Sequence, residues 1–426
     1  MRFLHAADVH LDSPLRGLAK YEGAPAGEIR EVTRRAFRRL VDHCLEERVE
    51  LLLISGDLYD GDWKDYATGL FFVNQMNRLR EVGTRVVILR GNHDAQSQIS
   101  RSLRLPEHVH QLATDRVESI VFEDLGIALH GRGFSHREEL ADLSLEYPPP
   151  VAGLVNVGML HTSVDGRPGH AGYAPCKPAR LIEHGYDYWA LGHVHAREVL
   201  SEKPWVIFPG NLQGRHARET GAKGATLVTV DGGRIRSVDP LVLDVVRWER
   251  ARIVVGEGDR EADALERLRR ALELLRATAE ERPLAIRVTI EGQAGATLAR
   301  VLGEASFESE VRALAGEIAP AWIEKIEQRL VPPALSDAVG SRDDAIGQLA
   351  RALSREDGSA PDPALLAELD DALADLREKL APLALEVDDE RLALSGPDKM
   401  RALTAILADA ERMLLPTLLE GDEDDA

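Results

Sequence analysis

Arg85-Val86-Val87-Ile88-Leu89-Arg90-Gly91-Asn92-His93-Asp94 decides how the chain is read. The first five residues form a short, β-branched apolar run bounded by Gly83 and Gly91. They predict a buried strand that delivers four polar residues from its carboxyl end. That end is where open α/β sheets place their chemistry. The amide oxygen of Asn92 and the titratable ring of His93, adjacent on a tight loop, can serve different tasks on one bound group.

Four other polar clusters close predicted strands in the same way. Asp8-Val9-His10 follows the strand opening at Arg2, Gly56-Asp57 follows 50–55, His161 follows 154–160, and Gly192-His193-Val194-His195 follows 186–191. Alone, each is as readily a strand-end cap or a turn. Together they gather carboxylates, imidazoles and one amide oxygen with no thiolate, a donor set for borderline-hard divalent ions such as Mn²⁺, Fe²⁺ or Zn²⁺. Side chains alternate along a strand with a period of two, so D-x-H and H-x-H each predict two ligands on one strand face. Seven such groups exceed the needs of one ion. They suit two, about 3.5–4 Å apart, clamping an in-line displacement at phosphorus. His5, inside the first strand, reads as a core residue or a support to the ligands.

In this order the motifs D-x-H, G-D, G-N-H-D, H and G-H-x-H resemble the signature of the calcineurin-like metallophosphoesterases. The resemblance implies an α/β fold, a two-sheet α/β/β/α sandwich with the metal centre at its upper edge. It implies that Asp8, His10 and His195 bind one ion, that Asn92, His161 and His193 bind the other, and that Asp57 bridges them. It further implies that His93 acts on the leaving oxygen without binding metal, with Asp94 orienting it, while the ions activate the attacking water.

A chain of 426 residues is too long for one ordinary core, so two or three domains are expected, and 44% hydrophobic residues suffice to pack them. No apolar run approaches the roughly 20 residues that span a bilayer, and charged residues flank the first strand. The expectation is a cytoplasmic protein with neither anchor nor signal peptide. The two cysteines, Cys44 and Cys176, lie outside every cluster and read as reduced thiols. The net charge of −20 is unevenly placed. Residues 1–240 hold 29 Lys and Arg against 32 Asp and Glu, which leaves a net −17 to residues 241–426. Bound ions would offset the ligand carboxylates of the first part, so acidity does not exclude an anionic substrate there.

Along the chain, residues 1–240 alternate strands with amphipathic helices at 28–47 and 66–82, and Pro148-Pro149-Pro150 separates the two halves of this domain. The strands after Gly192, with Asp231-Gly232-Gly233 as a hairpin turn, suit a second sheet. The loop Pro209 to His216 lies just past the last motif, and Arg215, Arg218 and Lys223 around it are candidate DNA phosphate contacts, though a solvated surface loop reads equally well. Residues 245–331 run strand, helix, strand, helix, strand, a small α+β capping domain with a single helix over 296–318. Residues 332–420 read as a helical partner-binding region. Leu366, Leu369, Leu373, Leu376 and Leu380 form one seam there and Leu403, Leu407, Ala410 and Leu414 another. Residues 355–363 have linker composition, and 421–426 form an acidic tail.

A metal domain, a small α+β cap and a helical region together resemble the SbcD-type DNA repair exonucleases, and Ala6-Ala7-Asp8-Val9-His10-Leu11-Asp12-Ser13-Pro14 is similar to the YhaO-like branch of that group. This resemblance implies a Mn²⁺-activated nuclease that acts on DNA ends and works with an SMC-like coiled-coil ATPase. The leucine seams fit that partner, the chain's own capping domain, or a second copy in a homodimer. Two other functions compete. A small-molecule phosphodiesterase or pyrophosphatase of the same superfamily needs no cap or tail, and a non-catalytic scaffold needs no complete ligand set.

Overall fold

The leading strands form because their residues are buried on both faces. The computed structural model describes residues 1–13, 31–60, 66–96, 103–165, 173–318 and 320–331, with isolated positions between 367 and 406. In it β1 (Arg2–Ala6), β2 (Leu51–Ser55) and β3 (Arg85–Leu89) pair in parallel. Phe3, Leu51, Leu53, Val87 and Leu89 belong to one apolar cluster, and Leu4, Ala6, Leu52, Ile54, Val86 and Ile88 to another. Such a split with a period of two, apolar on both sides, marks a sheet covered on both faces.

The outer cluster includes Phe37, Leu40 and Val41 of α1 (Val32–Glu46) and Phe72, Met76 and Leu79 of α2 (Tyr66–Val82). Residues 28–30 of the predicted first helix lie outside the described residues. After β3 come α3 (Asn92–Gln96), β4 (Val109–Gln111), β5 (Glu118–Phe122), β6 (Ile127–Gly131), β7 (Val155–His161) and α4 (Pro178–Glu183). β8 (Tyr188–Gly192), β9 (Glu198–Glu202), β10 (Trp205–Phe208), β11 (Gly224–Asp231) and β12 (Arg234–Val242) follow. One sheet has the order β12-β11-β1-β2-β3-β4 and the other β5-β6-β7-β8-β10-β9. Leu129, Val157, Met159, Tyr188 and Ile207 of the second sheet share the inner cluster with Phe3, Leu51 and Val87. A third cluster, with Leu160, Trp189, Leu191 and Phe208, covers the second sheet's outer face beside Leu181 of α4. The architecture is the expected α/β/β/α sandwich.

The sheets do not divide where the sequence suggests. The second already opens at β5, ahead of Pro148, and β11 and β12 return to the first, with Arg2 opposite Thr229 and His5 opposite Thr226 in antiparallel pairing. Alternation explains the return: Val228 and Val230 fill the space between the sheets while Ala225 joins the outer cluster.

The chain parts into two compact units: Met1–Arg250 with Leu272–Arg287 and Ala315–Lys325, and Ala251–Ala271 with Val288–Leu314 and residues from Ile326 onward. Every residue of the site described below belongs to the first. From Arg247 the elements are β13 (Arg247–Val255), α5 (Glu261–Thr278), β14 (Leu284–Gln293), α6 (Ala296–Leu302), α7 (Ala305–Ile318) and β15 (Ala321–Val331), with the strands in the order β13-β14-β15. The single helix expected over 296–318 is broken. Gly303, a poor helix former, ends α6; its N–H donates to the carbonyls of Ala299 and Arg300, and the N–H of Glu304 to that of Val301. The leucine seams, the 355–363 linker and the acidic tail lie outside the described residues, isolated positions aside. Among the described residues no helix is long and apolar enough to cross a membrane.

Candidate metal centre

The polar clusters stand just beyond the strands, and left-handed backbone aims them. β1 stops at Ala6, yet the loop after it stays tied to the loop after β2: the N–H groups of Asp8, His10 and Leu11 donate to the carbonyls of Gly56, Asp57 and Leu58. Asp8 (φ 50°), His10 (φ 45°), Asp57 (φ 52°) and His193 (φ 105°) all take positive φ. D-x-H and H-x-H therefore do not reach their target by strand alternation, as predicted. Turns of the opposite hand do it, at about 1–2 kcal/mol for each residue, the kind of strain that collects at functional sites.

Three groupings result. The donor atoms of Asp8, His10 and His195 lie within 4.8 Å of one another, as do those of Asp57, His161 and His193 and those of His10, Asp60 and His93. The Nε2 atoms of His10 and His195 approach to 3.2 Å, and His195 Nε2 is 4.0 Å from Asp8 Oδ1. His161 Nε2 is 3.0 Å from Asn92 Oδ1. Asp57 stands between the first two sets. Its Oδ1 accepts from the N–H of His93 at 2.9 Å, and its Oδ2 is 3.9 Å from His10 Nε2 and 3.6 Å from His161 Nε2. That placement is the one a bridging carboxylate needs.

The donor set fits a pair of divalent cations. His161, His195 and His10 each turn Nδ1 outward, toward the Ser55 carbonyl (3.0 Å), Glu219 Oε1 (2.6 Å) and Asp60 Oδ1 (3.6 Å), so that each Nε2 faces inward. Outer hydrogen bonds such as those of His161 and His195 set tautomer and ring orientation in metal sites, whereas His10 Nδ1 has no hydrogen-bond partner among the described residues. Burial pushes His10 well below the usual histidine range and His161 down to about 4, so both rings present lone pairs. Burial also pushes Asp57 up to about 6, and burial together with the Asp57 charge holds Asp8 well above the usual carboxylate range. Carboxylates packed this way are stabilised by a cation. Space is as tight as charge: a Cβ on Gly91 would run into Asp57 and the His161 ring, and one on Gly192 into the Ser55 carbonyl.

His93 is held by a residue that the motifs do not mark. Its Nδ1 lies 3.2 Å from Asp60 Oδ1, while Asp94 accepts from the N–H groups of Leu58 (3.1 Å), Tyr59 (2.9 Å) and Gly91 (3.1 Å). Asp94 thus secures the backbone around Asp57, while Asp60 is the carboxylate that faces the His93 ring. Burial opposes a charge on His93, but the hydrogen bond to Asp60 and the fields of Asp57 and Asp60 outweigh it and raise its pKa. Asp60 stays well below its ordinary range, since burial is overcome by the imidazoles of His10 and His93 beside it and by the charge of Arg215.

The candidate DNA contacts are corrected in the same way. Arg215 is turned inward, with Nη1 3.7 Å from Asp60 Oδ1 and Nη2 3.2 Å from Glu219 Oε1. Lys223 is buried and donates from Nζ to the His195 carbonyl at 2.9 Å. Only Arg218 is exposed. Their loop is not a solvated surface either. Asn211 and Gln213 are buried and hold it, Asn211 Nδ2 donating to Glu219 Oε2 and Gln213 Nε2 to the Val246 carbonyl. Asp60 was within reach of the sequence as the second carboxylate of Gly56-Asp57-Leu58-Tyr59-Asp60. No spacing singles out Glu219.

An α/β/β/α sandwich with carboxylates, imidazoles and an amide converging beyond the carboxyl ends of its strands defines a metallophosphoesterase. Family models agree: one described as calcineurin-like phosphoesterase matches residues 1–197, and one described as metallophosphoesterase YhaO, middle domain, matches residues 248–331. The chain is 35% identical over 298 residues to the uncharacterized metallophosphoesterase YhaO of Bacillus subtilis, covering 69% of this chain and 72% of that one. It is 26% identical over 311 residues to the DNA double-strand break repair protein Mre11 of Methanopyrus kandleri (66% and 65% covered). A protein of the same name from Aeropyrum pernix is 25% identical over 334 residues (71% and 76% covered). The chain belongs to the calcineurin-like metallophosphoesterases, in their YhaO branch. Members of this family bind two divalent metal ions, and the clusters around Asp57 are where this chain would hold them.

Proposed function

We propose that this chain is a dinuclear-metal phosphodiesterase acting on DNA ends, a Mn²⁺-dependent exonuclease with endonuclease competence that works in cytoplasmic DNA repair. The observation that carries the hydrolytic reading is the contrast between His93 and its neighbours. The side chain of His93 is 33% exposed where those of His10 and His161 are fully buried, and Asp60 backs it. A partly open imidazole, its charged form favoured by Asp60, is suited to protonate the leaving oxygen of a phosphoester at the mouth of the site. Asp8, His10 and His195 would hold one ion and Asn92, His161 and His193 the other, with Asp57 between them. The ions, when bound, supply Lewis-acid polarisation of the phosphoryl group and a nucleophile at neutral pH.

DNA as substrate rests on the two relatives named for double-strand break repair, whose likeness runs past the metal domain. The inward turn of Arg215 and Lys223 leaves Arg218 as the one outward cation of the expected three, and this keeps a small phosphodiester in play as the second reading. Purified chain with Mn²⁺, given labelled single- and double-stranded DNA beside bis-p-nitrophenyl phosphate and cyclic AMP, tests the choice. Cleavage of DNA ends supports the proposal, and turnover of the small esters with both DNAs intact sinks it. The proposal also assigns residues 245–331 to shaping access to the metals and residues 332–420 to an SMC-like ATPase. Leu369→Asp with Leu376→Asp should abolish co-purification with that ATPase and leave hydrolysis of bis-p-nitrophenyl phosphate unchanged.

A further inference from the structure

The two ligand sets are held in place by different means. His161 takes a neutral backbone acceptor, the Ser55 carbonyl at 3.0 Å. His10 and His195 lean instead on two carboxylates, Asp60 at 3.6 Å and Glu219 at 2.6 Å. Both carboxylates meet one cation. Arg215 Nη1 lies 3.7 Å from Asp60 Oδ1, and Arg215 Nη2 lies 3.2 Å from Glu219 Oε1. The Arg215 backbone N–H also donates to Glu219 Oε2 at 2.7 Å, and Asp60 Oδ2 accepts from Ser13 at 2.7 Å. The chain thus runs His10, Asp60, Arg215, Glu219, His195.

We infer that Arg215 is a positioning residue for the first ion alone, fixing Asp60 and Glu219 and through them the inward aim of His10 and His195. Glu219 is 6% exposed and the Asp60 side chain 20%. The guanidinium faces both, and the Arg215 backbone N–H holds Glu219 a second time. Without Arg215 the two carboxylates would lose the group that fixes their position, Glu219 would no longer be held as the acceptor for His195 Nδ1, and Asp60 would no longer be held beside His10. The described contacts of Arg215 are with Ser13, Asp60, His195 and Glu219, none of them in the second set, whose His161 rests on Ser55 and Asn92; at Asp57 Arg215 acts through its field. Guanidinium geometry matters as well as charge, because its fork reaches both carboxylates from one centre and an ammonium cannot. This inference rests on the two-ion reading of the site and is independent of DNA as substrate.

Equilibrium dialysis of the full-length chain against Mn²⁺, read by elemental analysis, tests it without any assay of activity. Arg215→Met should weaken one of two ions by about 10- to 100-fold and leave the other at its wild-type affinity. Arg215→Lys should recover part of the loss. Placed in an Asn92→Ala background, which removes a ligand of the second ion, Arg215→Met should leave no ion bound at concentrations that saturate the wild type. Should Arg215→Met fail to fold, as judged by circular dichroism, Glu219→Gln keeps the shape, drops the charge and should give the same one-ion loss. Two ions held at full affinity in these variants, or both weakened alike, would overturn the inference. Fewer than two ions on the wild type would instead overturn the two-ion reading, and the inference with it.

Discussion

Charges do opposite things in two regions of this molecule. Beyond the carboxyl ends of β1, β2, β3, β7 and β8 they are buried and crowded: Asp8 and Asp57 are each 1% exposed, and four ligand-motif residues sit in left-handed backbone. From Arg247 to Val331 many are exposed in pairs four residues apart, Glu266 with Arg270 on α5, Glu308 with Arg312 on α7, and Arg300 of α6 with Glu304 just past its end, where solvent screens them. Such exposed pairs contribute about 0.3–0.5 kcal/mol each. The difference teaches where this fold accepts instability. The sheet edge collects strain and like charges that cations can offset, while the second region keeps its charges either exposed on its surface or, as with Arg287 and Glu324, largely buried opposite a partner of the other sign.

His93→Ala should produce the largest effect and sharpen that contrast, removing a group that works at the edge without supporting it. The rate with bis-p-nitrophenyl phosphate should fall about 10²- to 10⁴-fold, with Mn²⁺ content by elemental analysis unchanged. Metal lost along with the rate would make His93 a ligand, as its grouping with His10 and Asp60 allows.

His5 offers a middle case, a buried titratable ring with no ion to meet. Its Nδ1 is 3.0 Å from the Tyr188 hydroxyl and its Nε2 3.0 Å from the Leu191 carbonyl, and burial pushes its pKa down to about 3. Between that value and the unfolded value of about 6.5 the unfolded chain binds the extra proton, so this ring's contribution to stability falls on acidification, by about 2 kcal/mol from pH 7 to pH 5. Urea unfolding of the wild type and His5→Gln at the two pH values measures it. The variant should lose about that much less, and equal losses would remove His5 from the account.

Arg300→Ala, in the second region, should change least: unfolding free energy within about 0.5 kcal/mol of the wild type and metal content untouched. A loss of several kcal/mol would break the comparison by showing that charges there also carry the structure.

How legible each region was follows from the same contrast. Buried parallel strands must be apolar on both faces, so Leu51–Ser55 and Arg85–Leu89 stand out, and ligand chemistry admits few residue types, so Asp8, His10, Asp57, Asn92, His161, His193 and His195 could be named as one set. Groups that hold those ligands were harder to find. Any carboxylate at the right distance can anchor an imidazole, and nothing in the spacing of Glu219 from His195 announces that contact. Arg215 and Lys223 looked like surface cations because composition does not reveal which way a side chain turns. The return of β11 to β1 depends on pairing across more than 200 residues, which local pattern does not encode.

Counting ions on Asp57→Asn tests the central claim most directly. A carboxylate with one oxygen between His10 Nε2 and His161 Nε2 should serve both ions, so its neutralisation weakens two sites at once. Titration with Mn²⁺ should find two ions per wild-type chain and fewer than one on Asp57→Asn under the same conditions. Two full equivalents retained by Asp57→Asn would contradict the shared metal centre described here.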